Sequence, residues 1–237
     1  MEERTWERIG ALAGIAFVVL GILATFLYPQ QPRIDSTPAK TLAWLHGHRT
    51  GIQTGIVLGT FGAGLFVWFA GHLRNVLSRA EHGANRITSV VFGSGIAVSV
   101  MYLLGGLPNA VMAIMDAQPG GIQDPSIVRM LGDLNGILFG VTVPAVMVFL
   151  AALGWAMLDG LIGWRWLGWI SLIGAACNAI ATVTMLTFST YHGAAWGVPA
   201  WGAFLGLLVV VLVLSISMLR GRGAAPSEAR PAAMTAA

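Results

Sequence analysis

Charged residues occur in clusters along the chain, and the stretches between them that contain no Asp, Glu, Lys or Arg provide six segments of spanning length, the last two contiguous. These run Ile9–Tyr28, Thr50–Gly71, Ile87–Met115, Leu134–Leu158, Trp166–Tyr191 and His192–Leu219. A helix needs about 20 residues to cross the hydrocarbon layer of a bilayer. Each Leu, Ile, Val or Phe at mid-depth favours insertion by about 0.3–0.6 kcal/mol, whereas one Arg or Asp costs about 2.5–3.5 kcal/mol. Leaving out every charge lets glycine-rich stretches still partition into lipid. The pattern predicts an all-α, polytopic transmembrane bundle over residues 1–220, with spans at about 9–28, 50–71, 87–107, 134–158, 166–190 and 198–219. Residues 221–237, rich in Ala, Pro and Arg, are expected to form a disordered cytoplasmic tail.

The connections add detail. Thr37-Pro38 is a good N-cap and first-turn pair, so Ala39–His48 is expected to form a short helix on the outer interface, with Leu42, Trp44 and Leu45 on one face. Asp124-Pro125-Ser126 starts a second short amphipathic segment over Ile127–Leu131. The 29-residue uncharged run around Pro108 either ends as a helix near Leu107 or kinks there and continues to Asp116. The short turn Asp159–Arg165 makes spans four and five an antiparallel hairpin. Asp35, Leu42, Leu45, His46 and Gly47 recur 89 positions later as Asp124, Leu131, Leu134, Asn135 and Gly136. Parallel duplication of a two-span unit would produce such a shift, and so would chance in apolar sequence.

Composition strengthens the membrane reading: of 237 residues 56% are hydrophobic and 10% charged, far from the roughly one-quarter charged residues of a soluble domain. The net charge of +3 would suggest nucleic acid in a soluble protein; here it records orientation, and no nucleic-acid partner is expected. Nine of the 13 basic residues fall on one side (Arg4, Arg8, Arg74, Arg79, Arg86, Arg165, Arg220, Arg222 and Arg230) and four on the other (Arg33, Lys40, Arg49 and Arg129). Both termini are therefore expected in the cytoplasm, as an even number of spans requires. Twelve arginines against one lysine, with abundant Ala and Gly, fit a GC-rich bacterial genome and hence an inner membrane. The first apolar run is longer than a signal-peptide core, and no small-x-small cleavage site precedes Pro29, so span one is read as retained. The single Cys177 excludes an intramolecular disulfide.

Candidate chemistry is sparse. Gly51, Gly55, Gly59 and Ala63 recur every four positions on span two, a helix-packing ridge of the kind that lets backbones approach in lipid. Ser89, Gly93 and Ala97 repeat the pattern on span three, and Gly202 and Gly206 on span six. Trp164, Trp166 and Trp169 around Arg165, with Trp196 and Trp201 at the other side, read as interfacial anchors. No carboxylate, Lys or Arg sits at the centre of a span, which argues against a carrier that relays protons through one, and Lys40 lies outside the spans, excluding a retinal Schiff base. The interior polar groups are neutral: Gln53, Thr54, Thr142 beside Pro144, Asn178, Thr182 and Thr184. Gln53, Thr142, Asn178 and Thr182 are the candidate ligand-binding residues, with Asn178 also expected to hydrogen-bond a neighbouring helix.

The histidines admit a metal or haem alternative. His46, His48 and His192 fall near the outer surface, but the i, i+2 pair points apart on a helix, leaving His46 and His192 as the two that could converge beside Asp116, Asp133 and Asn135. His72 and His82 flank the inner basic turn. No cofactor is predicted. No phosphate loop, nucleophile elbow or catalytic carboxylate pair appears.

The Trp164-Arg165-Trp166-Leu167-Gly168-Trp169 stretch opening span five, the basic turn after span two, the length and the span layout together resemble the small multi-pass bacterial proteins, chiefly actinobacterial, of the DUF4386 family. The resemblance implies a compartment and an architecture; the family has no established activity, so no functional residue follows from it. The residues themselves favour a non-enzymatic inner-membrane protein in contact with lipid, holding a small neutral or lipid-like ligand or acting as an accessory subunit beside a second copy or a partner membrane subunit. A cavity between spans two, four and five would favour the ligand; a solid core with an exposed glycine ridge would favour the partner. An outer-face enzyme or metal/haem protein using His46 and His192 is the rival.

Overall fold

The computed structural model describes residues 3–32, 36–187 and 194–220. The expected tail, His192, and the Arg33 and Asp35 of the first loop lie outside these residues, as do the side chains of Thr142 and Trp196. Six helices follow one another: α1 (Glu3–Leu27), α2 (Pro38–Ala80), α3 (Arg86–Asp116), α4 (Pro125–Leu158), α5 (Arg165–Thr187) and α6 (Ala194–Leu219). No strand occurs among the described residues, and all six helices are long and apolar enough to cross a membrane. The chain is an all-α helical membrane bundle.

Local chemistry starts the helices where expected. Thr37 accepts the Lys40 amide with Pro38 in the first turn of α2, and Asp124 accepts the Ser126 amide at 2.9 Å ahead of Pro125 in α4. Hydrogen bonds from Ser126 hold the Asp124 carboxyl below the usual carboxylate range. Between α2 and α3 the chain turns through left-handed residues at His82, Gly83 and Asn85, and the Glu81 carboxylate caps α3 by accepting the amides of Ile87 at 2.9 Å and Thr88 at 2.8 Å.

Two expectations about boundaries change, and for α3 the second of its two alternatives holds. The segment 39–48 is no separate interfacial helix but the first part of a 43-residue α2, about 65 Å long at 1.5 Å per residue. Nothing after Thr37-Pro38 breaks it. Trp44 and Leu45 also do not lie on a membrane surface, because both are buried against Met112, Ala113, Ile122 and Val128. The 127–131 segment is likewise continuous with α4, and α3 runs through Pro108 to Asp116. Intramolecular burial wins over the interface at these helix ends because a folded partner face is available.

Each helix packs on its sequence neighbours, α1 closes the ring against α6, and α2 also meets α4 across it. The half nearest the termini is solid. There Phe66 stands at the centre, with its ring 4.8 Å from that of Phe17, 6.0 Å from Phe69 and 5.3 Å from Phe149, and Leu73, Leu150, Leu153 and Leu214 complete the layer. Glycines bring backbones together around it. A Cβ at Gly154 on α4 would stand 2.9 Å from the carbonyl oxygen of Gly168 on α5, and one at Gly206 on α6 would stand 3.3 Å from the Gly174 Cα on α5.

The glycine ridge of span two divides among different neighbours. Gly51 receives Leu27 and Pro29, Gly55 receives the Tyr28 ring, and Ala63 is buried, whereas nothing stands within 4 Å of a Cβ at Gly59. On α3 the expected ridge of Ser89 and Gly93 is exposed; the packed face carries Val91, Gly95 and Val98 instead.

Candidate functional site

Toward the end opposite the termini the ring is hollow. Three clefts of about 600, 420 and 260 Å³ all border Tyr102 on α3. The largest lies between α1, α2 and α6, from Phe17 and Gly21 past Gly59 to Trp201 and Phe204. The second lies between α2 and α3 and reaches Asn109 and Asn135. The third lies among α4, α5 and α6, where Asn178 borders it with Val143, Val146 and Phe204. Tyr28, Gly55 and Gly59 are common to the first two, and Thr25, Trp201 and Phe204 to the first and third. Among the described residues, no Asp, Glu, Lys, Arg or His borders any of the three. Mostly apolar walls with a few neutral polar groups are what small-molecule sites of this size have.

The sequence composes this chamber by taking bulk away. Gly55 and Gly59 on α2 face Gly105 and Gly106 on α3 across the second cleft. Tyr28, just past the end of α1, fills the notch at Gly55 and reaches α3, where its hydroxyl accepts the Asn109 Nδ2–H. The aromatic layer around Phe66 closes the chamber from the termini half.

The predicted binding residues separate. Asn178 borders the chamber, but its Nδ2 donates to Gly174 O at 2.8 Å within its own helix rather than to a neighbour. Thr182 Oγ1 donates to Asn178 O at 3.0 Å, a bond internal to α5, and borders none of the three clefts. Gln53 donates to Ala113 O at 3.4 Å and so ties α2 to α3. The Thr142 side chain lies outside the described residues.

Tyr28, Tyr102 and Asn109 were not singled out from the sequence. A span ending near Leu107 leaves Asn109 outside the membrane, and a tyrosine within an apolar run carries no charge to mark it. A neutral Asn directly after a proline inside an uncharged run was the usable signal.

A separate polar cleft of about 670 Å³ opens at the same end, bordered by His46, His48, Arg49, Asp116 and Gln123. His46 Nε2 stands 3.0 Å from Asp116 Oδ1 and 3.3 Å from Ile122 O, both acceptors, so Nε2 carries the proton. Arg49 donates to Asp116 O at 3.4 Å. His48 Nδ1 donates to Trp44 O at 2.9 Å, pointing its ring away from His46. This places His46 and Asp116 together, as the rival reading required, while its second histidine, His192, lies outside the described residues. Among the described residues no group of three or more His, Cys, Asp or Glu side chains could hold a metal ion. No family model, curated protein or solved structure matches the chain.

Proposed function

We propose that this chain is a non-enzymatic membrane protein that accommodates a small, neutral or lipid-like ligand in the hollow half of its bundle. One observation carries the reading: three clefts meeting at Tyr102, none bordered by a charge among the described residues. In a low-dielectric interior a charged ligand would have to be desolvated with no partner to repay it, whereas an apolar body gains contacts with Phe17, Trp201 and Phe204. The clefts lie elsewhere than between spans two, four and five, where Phe66 and Phe149 pack in a solid core; the hollow beside that core still supports a ligand over a purely structural accessory role. A chain that only docks a partner subunit has no need of a chamber behind a sealed floor.

The proposal includes an inner-membrane location with both termini in the cytoplasm, supported by the nine-to-four distribution of basic residues. It also includes kinship with DUF4386-like proteins, supported by the Trp164–Trp169 stretch.

Native mass spectrometry of the full chain released from a gentle detergent tests the central claim. The expected result is a retained neutral mass per chain that disappears in Gly59→Leu, whose side chain grows into open space shared by two clefts. A chain that emerges bare, or a bound mass that Gly59→Leu leaves in place, would overturn it.

A further inference from the structure

Five buried side-chain polar atoms lack a hydrogen-bond partner among the described residues: Trp44 Nε1, His72 Nε2, Thr88 Oγ1, Asn109 Oδ1 and Ser215 Oγ. Only Asn109 borders one of the three chamber clefts. It is 4% exposed, and its Nδ2 is already given to the Tyr28 hydroxyl. Among the described residues the Oδ1 accepts nothing. A buried acceptor left empty is costly, and in a bilayer no bulk water is at hand to fill it. Such a group persists in a native structure for a reason.

The surroundings indicate what fills it. Asn109 follows Pro108, which lacks the N–H that the Leu104 carbonyl would otherwise accept, so this turn of α3 is the polar part of its wall. Gly105 and Gly106 precede it and leave room beside Tyr28 and Tyr102. The Tyr28 hydroxyl takes the Asn109 N–H on its oxygen and still has its own proton to donate. Donor and empty acceptor therefore sit side by side in an uncharged cleft. An aliphatic hydroxyl satisfies both at once, accepting from Tyr28 and donating to Asn109 Oδ1. The three groups then form a closed ring of hydrogen bonds, each polarising the next.

We propose that the α2–α3 cleft binds the hydroxyl of an uncharged, single-chain alcohol through Asn109 and Tyr28, with the apolar body lying over Gly55, Gly59 and Gly106. This rests on reading the hollow half as a ligand chamber. Neither residue is catalytic in this scheme; both fix the head of the ligand.

The test uses the full chain in lipid nanodiscs with three probes compared at equal mole fraction in the lipid: 1-decanol, its methyl ether 1-methoxydecane, and decanoate. Apparent affinity is read from the ligand-dependent shift of the unfolding midpoint. Wild type is expected to bind decanol about tenfold more tightly than the ether, the discrimination of one buried hydrogen bond, and to bind decanoate most weakly. Asn109→Leu is expected to bind alcohol and ether equally. Should that variant fail to fold, Asn109→Ala, which removes the same acceptor without added bulk, is expected to lose the same preference. Equal binding of alcohol and ether by wild type (the result if a water closes the ring), discrimination that survives in the variants, or tighter binding of decanoate each overturns the hydroxyl site. If none of the three probes binds wild type, the chamber reading fails with it.

Discussion

The closest backbone approach between helices among the described residues, at Gly154 and Gly168, offers a direct measurement. Gly154→Ala would place a methyl group 2.9 Å from the Gly168 carbonyl oxygen and 2.9 Å from Leu172 Cγ, and Gly168→Ala would meet Gly154 O and Met157 Cβ at 3.0 Å. A leucine side chain can turn aside, but a backbone oxygen cannot, so α4 and α5 must separate by several tenths of an ångström. That strains the fully buried Leu150 and Leu153 beside the contact and the bond that Ser171 Oγ donates to Leu150 O at 2.7 Å. Overpacking of this kind costs about 1–3 kcal/mol, and weakening one buried hydrogen bond adds up to about 1 kcal/mol. Against this, alanine is the better helix former by about 0.5–1 kcal/mol. The net expectation is a loss of about 1–3 kcal/mol. Gly93→Ala, where nothing stands within 4 Å of the new methyl group, is the control and should gain up to about 1 kcal/mol from propensity alone. Reversible unfolding in maltoside micelles, followed by far-UV circular dichroism on SDS titration, compares the two. The double variant Gly154→Ala/Gly168→Ala should cost less than the sum of its parts, because one displacement relieves both contacts. Equal stability of Gly154→Ala and Gly93→Ala would refute the argument that backbone approach at this hairpin holds the bundle together.

At the α2–α3 turn, burial pushes the Glu81 carboxyl up, but hydrogen bonds from Thr88 and Ile87 prevail and hold it below its usual value of 4.5. A depressed native value means the cap stabilises above the unfolded carboxylate's range and fades as pH falls through the native one. Glu81→Ala should therefore cost about 1 kcal/mol near neutrality, with the gap to wild type closing as pH falls below the ordinary carboxylate value; a gap that stays constant as the melts are taken into acid would contradict it. At the polar cleft, His46→Ala leaves Asp116, with its side chain 5% exposed, without its imidazole partner. Because His46 itself is 44% exposed, the expected loss is only about 1 kcal/mol. Zinc should not move the wild-type melting point; a zinc-dependent rise that vanishes in His46→Ala would establish the metal reading with His192 instead. Fusion reporters check the orientation: green fluorescent protein after Arg220 should fluoresce and alkaline phosphatase inserted at Gly120 should be active, and the reverse pattern would invert the topology.

The exclusion of charge made the six helices legible, because in lipid that exclusion is an energetic requirement on every span. Thr37-Pro38 and Asp124-Pro125 were legible for a different reason: capping is local chemistry between residues two or three apart. The interior was much harder to read. Leu107 and Ile114 on α3 are more than half exposed while Val91 and Val98 on the same helix are fully buried, and nothing in their chemistry separates the two pairs. Water would have sorted them onto opposite faces, but lipid accepts all four equally, so hydrophobic periodicity is mute about which side is inside. That information passes to small and polar residues, and their meaning depends on what another helix places opposite. Gly59 and Gly93 sit in ridges as regular as any in the chain and meet nothing, whereas Gly154 and Gly168, one on each of two helices, meet each other. Asn109 follows the same rule. Its place in the sequence marks a polar group after a helix-disturbing proline, but its value as an anchor exists only because α1 ends where Tyr28 can cross the Gly55 notch and take one half of its amide. In a bundle whose apolar residues are interchangeable, the positions that cannot be exchanged without opening or closing space are where a function has to be sought, and here they converge on the wall shared by Tyr28, Tyr102 and Asn109.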